Sequence, residues 1–155
     1  MNRGSVLQAA SLALLLLSAC GTSGTPAPAA QATPVAHPAV LQASAKVAGA
    51  SQTVLTTPAG LTLYYLTSDV AATPKCTAAC LSHWPPLLSS AGPTLAAGLT
   101  GTLAVVQNSN GSQVTYNGHL LYQFVNDLGP GDAKGEGINA FGGTWHAATP
   151  GLPAA

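Results

Sequence analysis

The sharpest chemical pattern in the chain is Cys76-Thr77-Ala78-Ala79-Cys80 with His83 three residues on, a C-x3-C-x2-H arrangement. Cysteine and imidazole together suit copper or zinc. One reading is therefore metal handling or thiol redox through Cys76, Cys80 and His83, with His119 or His146 as a more distant ligand. Two absences weigh against it: no methionine follows Met1 to supply a thioether for Cu(I), and the C-x-x-C-H pattern of covalent haem is missing. The plainer reading is a structural disulfide with no cofactor. Residues four apart on a helical turn have Cα atoms roughly 6 Å apart, within the span a disulfide accepts. Closing so short a loop stabilises by about 2 kcal/mol on the chain-entropy model. It would also pin the segment that presents Trp84.

The carboxylates form a second constellation. Asp69 and Asp127 each stand five residues past a tyrosine, Tyr64 and Tyr122. A catalytic pair would need the two close together with their pKa values pushed apart, and no Asp-Thr/Ser-Gly element surrounds either. At a strand end, an aspartate instead accepts backbone N–H bonds from the turn that follows, and that is the expectation here. The stretch from Asp127 to Gly137 gathers Asp127, Asp132 and Glu136 among glycines. Its spacing is not that of an EF-hand and Lys134 sits inside it, so it reads as a solvated glycine-rich loop rather than a calcium site. His119 and His146 read as half-exposed side chains. No nucleophile elbow, phosphate loop or zinc-protease helix is present, so no catalytic residue is assigned and the chain is not read as an enzyme.

Strands must position these groups. Ser112–Tyr116 and His119–Val125 flank Asn117-Gly118, the strongest short hairpin signal, because a type I′ turn needs positive φ at both central residues. Residues 102–107 add a third strand to this meander, and residues 52–56 and 61–66 suggest another hairpin around Pro58-Ala59-Gly60. The two halves repeat: Gly60-x-x-Leu63-Tyr64-x-Leu66-x-x-Asp69 aligns with Gly118-x-x-Leu121-Tyr122-x-Phe124-x-x-Asp127 at an offset of 58 residues. Trp84 and Trp145 follow, one per copy. A unit this small cannot cover both its faces, so two copies are expected to pack about a pseudo-twofold axis. Period-2 alternation puts Tyr64 with Leu66, and Tyr122 with Phe124, on one face. The expected fold is all-β, mainly antiparallel hairpins and meanders in two pseudo-symmetric repeats with little helix, spanning residues 51–155 with copies at about 51–90 and 100–150.

The N-terminal third is different. Arg3 and the apolar run Val6–Leu17 form a signal peptide over residues 1–19, too short to span a bilayer as a lasting helix. Leu17-Ser18-Ala19-Cys20 resembles the lipobox of bacterial lipoproteins, which implies acylation of Cys20, palmitate included, and a membrane anchor. Residues 20–50, rich in Ala, Pro and Thr and containing His37, read as a disordered tether. Composition excludes other classes. Of 155 residues only 5 % are charged, four basic against four acidic, so no basic face exists to displace counterions from nucleic acid. The 47 % hydrophobic content includes 29 alanines, which bury little surface each.

Taken together, the tandem Tyr-x-aromatic-x-x-Asp element, the Cys-x3-Cys followed by Trp-Pro-Pro, and the Asn-Gly-His-x-Leu-Tyr hairpin resemble a family of bacterial lipoproteins that carry a secreted repeat of unknown function. The similarity runs from about Leu55 to Pro150. Leu66 departs from the aromatic of the pattern, and Leu120 stands where proline is expected. The resemblance implies an exported protein of the cell envelope, on an inner or outer membrane, and brings no activity with it. The expected function is a non-enzymatic module that binds an envelope protein, glycan or small ligand through Tyr64, Trp84, His119, Tyr122 and Trp145, provided those aromatics are exposed.

Overall fold

The computed structural model describes residues 40–155 apart from Ala72. The signal peptide, Cys20, His37 and the tether up to residue 39 lie outside the described residues. Eight strands follow in order: β1 (Leu41–Val47), β2 (Ala50–Thr56), β3 (Tyr64–Leu66), β4 (Leu103–Asn108), β5 (Gly111–Tyr116), β6 (His119–Leu120), β7 (Asn139–Ala140) and β8 (Gly143–Ala147). They form three antiparallel sheets, β1-β2, β3-β8-β7 and β4-β5-β6. A single 3-10 turn, Ala78–Ser82, is the only helical piece among the described residues. The class is all-β, as the alternation predicts.

The folded part begins earlier than residue 51. Leu41–Val47 pairs along its whole length with Ala50–Thr56, and Ala45 and Val47 are buried. The reason is local. Leu41, Ala43, Ala45 and Val47 alternate with Gln42, Ser44 and Lys46, a strand pattern muted by alanine. The connecting turn is Ala48-Gly49, with φ of 47° and 85°. An alanine in the left-handed region costs about 1–2 kcal/mol, so this pair carries none of the turn signal that Asn-Gly does. Asn117-Gly118 adopts the expected conformation, φ 50° and 88°. The turn around Pro58-Ala59-Gly60 forms too, closed by Gly60 N–H to Thr57 O at 2.9 Å and Leu63 N–H to Leu55 O at 2.8 Å.

The two copies exchange their C-terminal pieces. The chain after Trp84 pairs with the second copy: Leu87 N–H donates to Leu121 O and Val114 N–H to Leu87 O. The chain after Trp145 pairs with the first copy in the same manner, Ala148 N–H to Leu63 O and Leu55 N–H to Ala148 O. At the centre Tyr64 and Tyr122 exchange backbone bonds, 2.8 and 2.9 Å, so the pseudo-twofold axis passes between them. Both buried clusters draw on both copies. One joins Val54, Tyr64 and Leu66 to Tyr122, Phe124 and Trp145, and the other joins Leu55 and Leu63 to Val114, Tyr116 and Leu121.

Candidate functional site

The repeated tyrosines and aspartates are cross-braces. Tyr64 Oη donates to Asp127 Oδ2 at 2.6 Å, and Tyr122 Oη donates to Asp69 Oδ2 at 2.7 Å, each bond linking one copy to the other. The second oxygen of each carboxylate accepts a backbone N–H from the following turn, Lys134 to Asp127 at 2.9 Å and Lys75 to Asp69 at 2.7 Å. Turn-capping is thus as expected; the cross-copy phenol is what the sequence does not display. Burial holds both phenols above the ordinary tyrosine range, and the carboxylate partner pushes each further up. Asp127 is 5 % exposed and depends on its donors, whereas Asp69 is half-buried. The glycine-rich loop that supplies Lys134 N–H is packed rather than solvated at Gly135. Its N–H reaches Tyr64 Oη at 3.2 Å, and a Cβ there would lie 2.7 Å from Trp84 and 2.9 Å from Tyr64.

Between the braces sits an aromatic stack. Trp84 and Trp145 lie face to face, 3.8 Å between centroids and 2° between planes, with Tyr64 edge-on to Trp84 and Tyr122 edge-on to Trp145. This overturns the expected ligand surface: Tyr64, Trp84, Tyr122 and Trp145 are at most 1 % exposed. The swapped segments cover them, so these rings fill the core and cannot meet a ligand. Of that expected set only His119 reaches solvent, half-buried.

Cys76 and Cys80 form a disulfide with a Cα–Cα distance of 5.2 Å, both buried, which ties the chain just ahead of the 3-10 turn to the turn that leads into Trp84. The metal or thiol-redox reading of Cys76, Cys80 and His83 is corrected accordingly. The thiols are spent on each other, and His83 is exposed against Phe141 instead. Among the described residues no three His, Cys, Asp or Glu side chains converge to hold a metal.

A group of partly accessible polar side chains lies on the reverse face of β3. Tyr65 points opposite to Tyr64 by the strand's alternation, and its ring lies 4.7 Å from His119 and 5.9 Å from His146 between centroids. Glu136 accepts from His146 Nδ1 at 2.8 Å and from Ala147 N–H at 2.7 Å. Because a carboxylate only accepts, His146 Nδ1 is the donor in this bond. Likewise Pro153 O accepts from His119 Nε2 at 3.1 Å, leaving Nδ1 free. Burial and the Glu136 charge raise the Tyr65 pKa, so its phenol stays a donor at neutral pH. Tyr65, Glu136 and His146, with Gln52 and the apolar Val47 and Leu152, line a cleft of about 350 Å³. Sequence reading missed Tyr65 and Glu136. Alternation does place Tyr65 on the outer face, but nothing in the acidic loop marks Glu136 as the partner of a histidine ten residues on.

A two-copy, all-β head with exchanged ends and tyrosine–aspartate braces is the class these features define. The chain belongs to the lipoprotein family described as a secreted repeat of unknown function, which matches it twice, at residues 47–88 and 104–149, more than half its length. Those two matches coincide with the two copies that exchange ends, and the description supports export of the protein. No curated protein and no solved structure matches the chain.

Proposed function

We propose that the protein is an envelope lipoprotein, held to a membrane through Cys20, whose head is a non-enzymatic binding module working at the Tyr65–His146–Glu136 cleft, with His119 packed beside Tyr65. The observation that carries this is the convergence on one cleft of the Tyr65 phenol, the Glu136 carboxylate and the His146 imidazole that Glu136 orients. A few convergent polar groups over an apolar floor, in a cleft of about this size, are the usual features of a small-molecule site. Glu136 disfavours anions, and its two oxygens already accept from His146 Nδ1 and Ala147 N–H, which favours an uncharged, hydroxyl-bearing small molecule, a glycan unit among them, over a charged one. With the tandem aromatics buried, no competing polar and aromatic cleft of this kind stands out among the described residues.

Native mass spectrometry of the full chain, exported by its host and purified without chelator or reductant, tests the binding role. A bound organic mass that Tyr65→Ala removes is expected. A bound mass that survives both Tyr65→Ala and His146→Ala would place binding elsewhere. The anchor has its own test: Cys20→Ser should release the chain from the membrane fraction, and retention there would refute lipidation.

A further inference from the structure

We infer that the outer edge of β4 is an interface for a second copy of this chain, pairing antiparallel with its own β4 about a twofold axis at Val105. The backbone leaves this edge open. Val114 directs its N–H to Leu87 O and accepts from Leu121 N–H, and Ser112 O accepts from Ser89 N–H, so both residues turn away from β4. Antiparallel alternation then turns their partners, Val105 and Gln107, and with them Leu103, outward from β5. None of these three residues has a backbone bond on its outer side among the described residues.

Open edges are ordinarily guarded by lysine, proline, a bulge or covering chain. Another outer strand, β1, shows such protection: it carries Lys46, whose N–H bonds to Gly131 O at 3.0 Å. Leu103-Ala104-Val105-Val106-Gln107-Asn108 has neither charge nor proline, and no Lys, Arg, Asp or Glu occurs anywhere between Lys75 and Asp127. That neutrality suits an identical strand as the occupant. Pairing identical strands sets like against like, and any charge on the edge would face its own copy, which is destabilising. An edge emptied of charge over its whole surroundings removes that repulsion and offers nothing to a charged partner strand. Pairing centred on Val105 sets Leu103 opposite Gln107 of the second copy and Val105 opposite itself, extending β4-β5-β6 across the axis.

Site-specific cysteine trapping in the full exported chain tests this register. Opposed, hydrogen-bonded residues have Cα atoms roughly 5.5 Å apart, inside the range of about 4.4–6.8 Å for a disulfide. Val105→Cys should therefore give a reducible dimer. Leu103→Cys and Gln107→Cys should not, because each would lie roughly 13 Å from its own copy at about 3.3 Å per residue. The parental chain, with its three native cysteines, sets the background. No dimer from Val105→Cys, equal trapping at all three positions, or trapping to a different protein would each overturn the proposal. Val105→Lys, which restores an edge guard without adding a thiol, should convert a sedimenting dimer of the parental chain to monomer. A parental chain already monomeric in that experiment contradicts the inference independently of how the cysteine variants fold.

Discussion

The braces give single residues unequal weight. Tyr64→Phe leaves Asp127, nearly fully buried, without its phenol donor, and should cost about 1–3 kcal/mol, the penalty for an unsatisfied buried acceptor. Tyr122→Phe should cost less, because water can reach the half-buried Asp69 in the phenol's place. Equal losses in denaturant unfolding would refute this account of the asymmetry. The same two phenols set a pH limit. Their folded pKa values lie above the unfolded value of 10.0, so folding holds their protons. Their contribution is complete below about pH 10 and is lost as pH rises towards the folded values. Stability should therefore fall above about pH 10, and ultraviolet titration should show two tyrosines ionising only as the protein unfolds. If all four tyrosines ionise freely near pH 10 in the native state, the buried donors assigned here are wrong. The aspartates announce themselves by their position at strand ends, and their backbone acceptance follows from that. Their phenol partners do not, because each brace joins residues in different copies and no local pattern encodes which copy a side chain meets.

At the scale of elements, the legible turns were those with the chemistry their backbone needs. Asn117-Gly118 is such a case, and Ala48-Gly49 shows the opposite: its positive φ values are imposed by the β1–β2 pairing rather than by the residues. The β7–β8 turn is another such case. Phe141 stands at φ 57° before Gly142 at 85°, with its ring substantially exposed. Asparagine tolerates this conformation far better than a bulky aromatic. Phe141→Asn should raise stability by up to about 1 kcal/mol, because it relieves part of the left-handed penalty of about 1–2 kcal/mol. A loss on this substitution would mean that the ring contact with His83 outweighs the strain. The disulfide was legible because a four-residue spacing puts two cysteines within bridging reach, but not through the helical turn expected: Cys76 lies ahead of the 3-10 turn and Ala78 between them takes φ 48°, while exposed His83 after the turn does not join them.

For the whole molecule, the repeat predicted the twofold but not the exchange of ends, which decides everything about exposure. Each copy's tryptophan enters a stack on the axis and each copy's tail completes the other's sheet, so the aromatics that look like a recognition surface in the sequence become the core. What is left outside is the reverse face of β3, where Tyr65 gathers His119 and His146. Neither copy can keep its buried surface without the other, and the described head should open as one cooperative unit. Native-state hydrogen exchange on the full chain tests that most directly. The amides of Leu55, Leu63 and Tyr64 in the first copy and Val114, Leu121 and Tyr122 in the second should exchange in the slowest class with the same opening free energy. A first-copy set that opens at distinctly lower free energy than the second, or the reverse, would contradict the interlocked head.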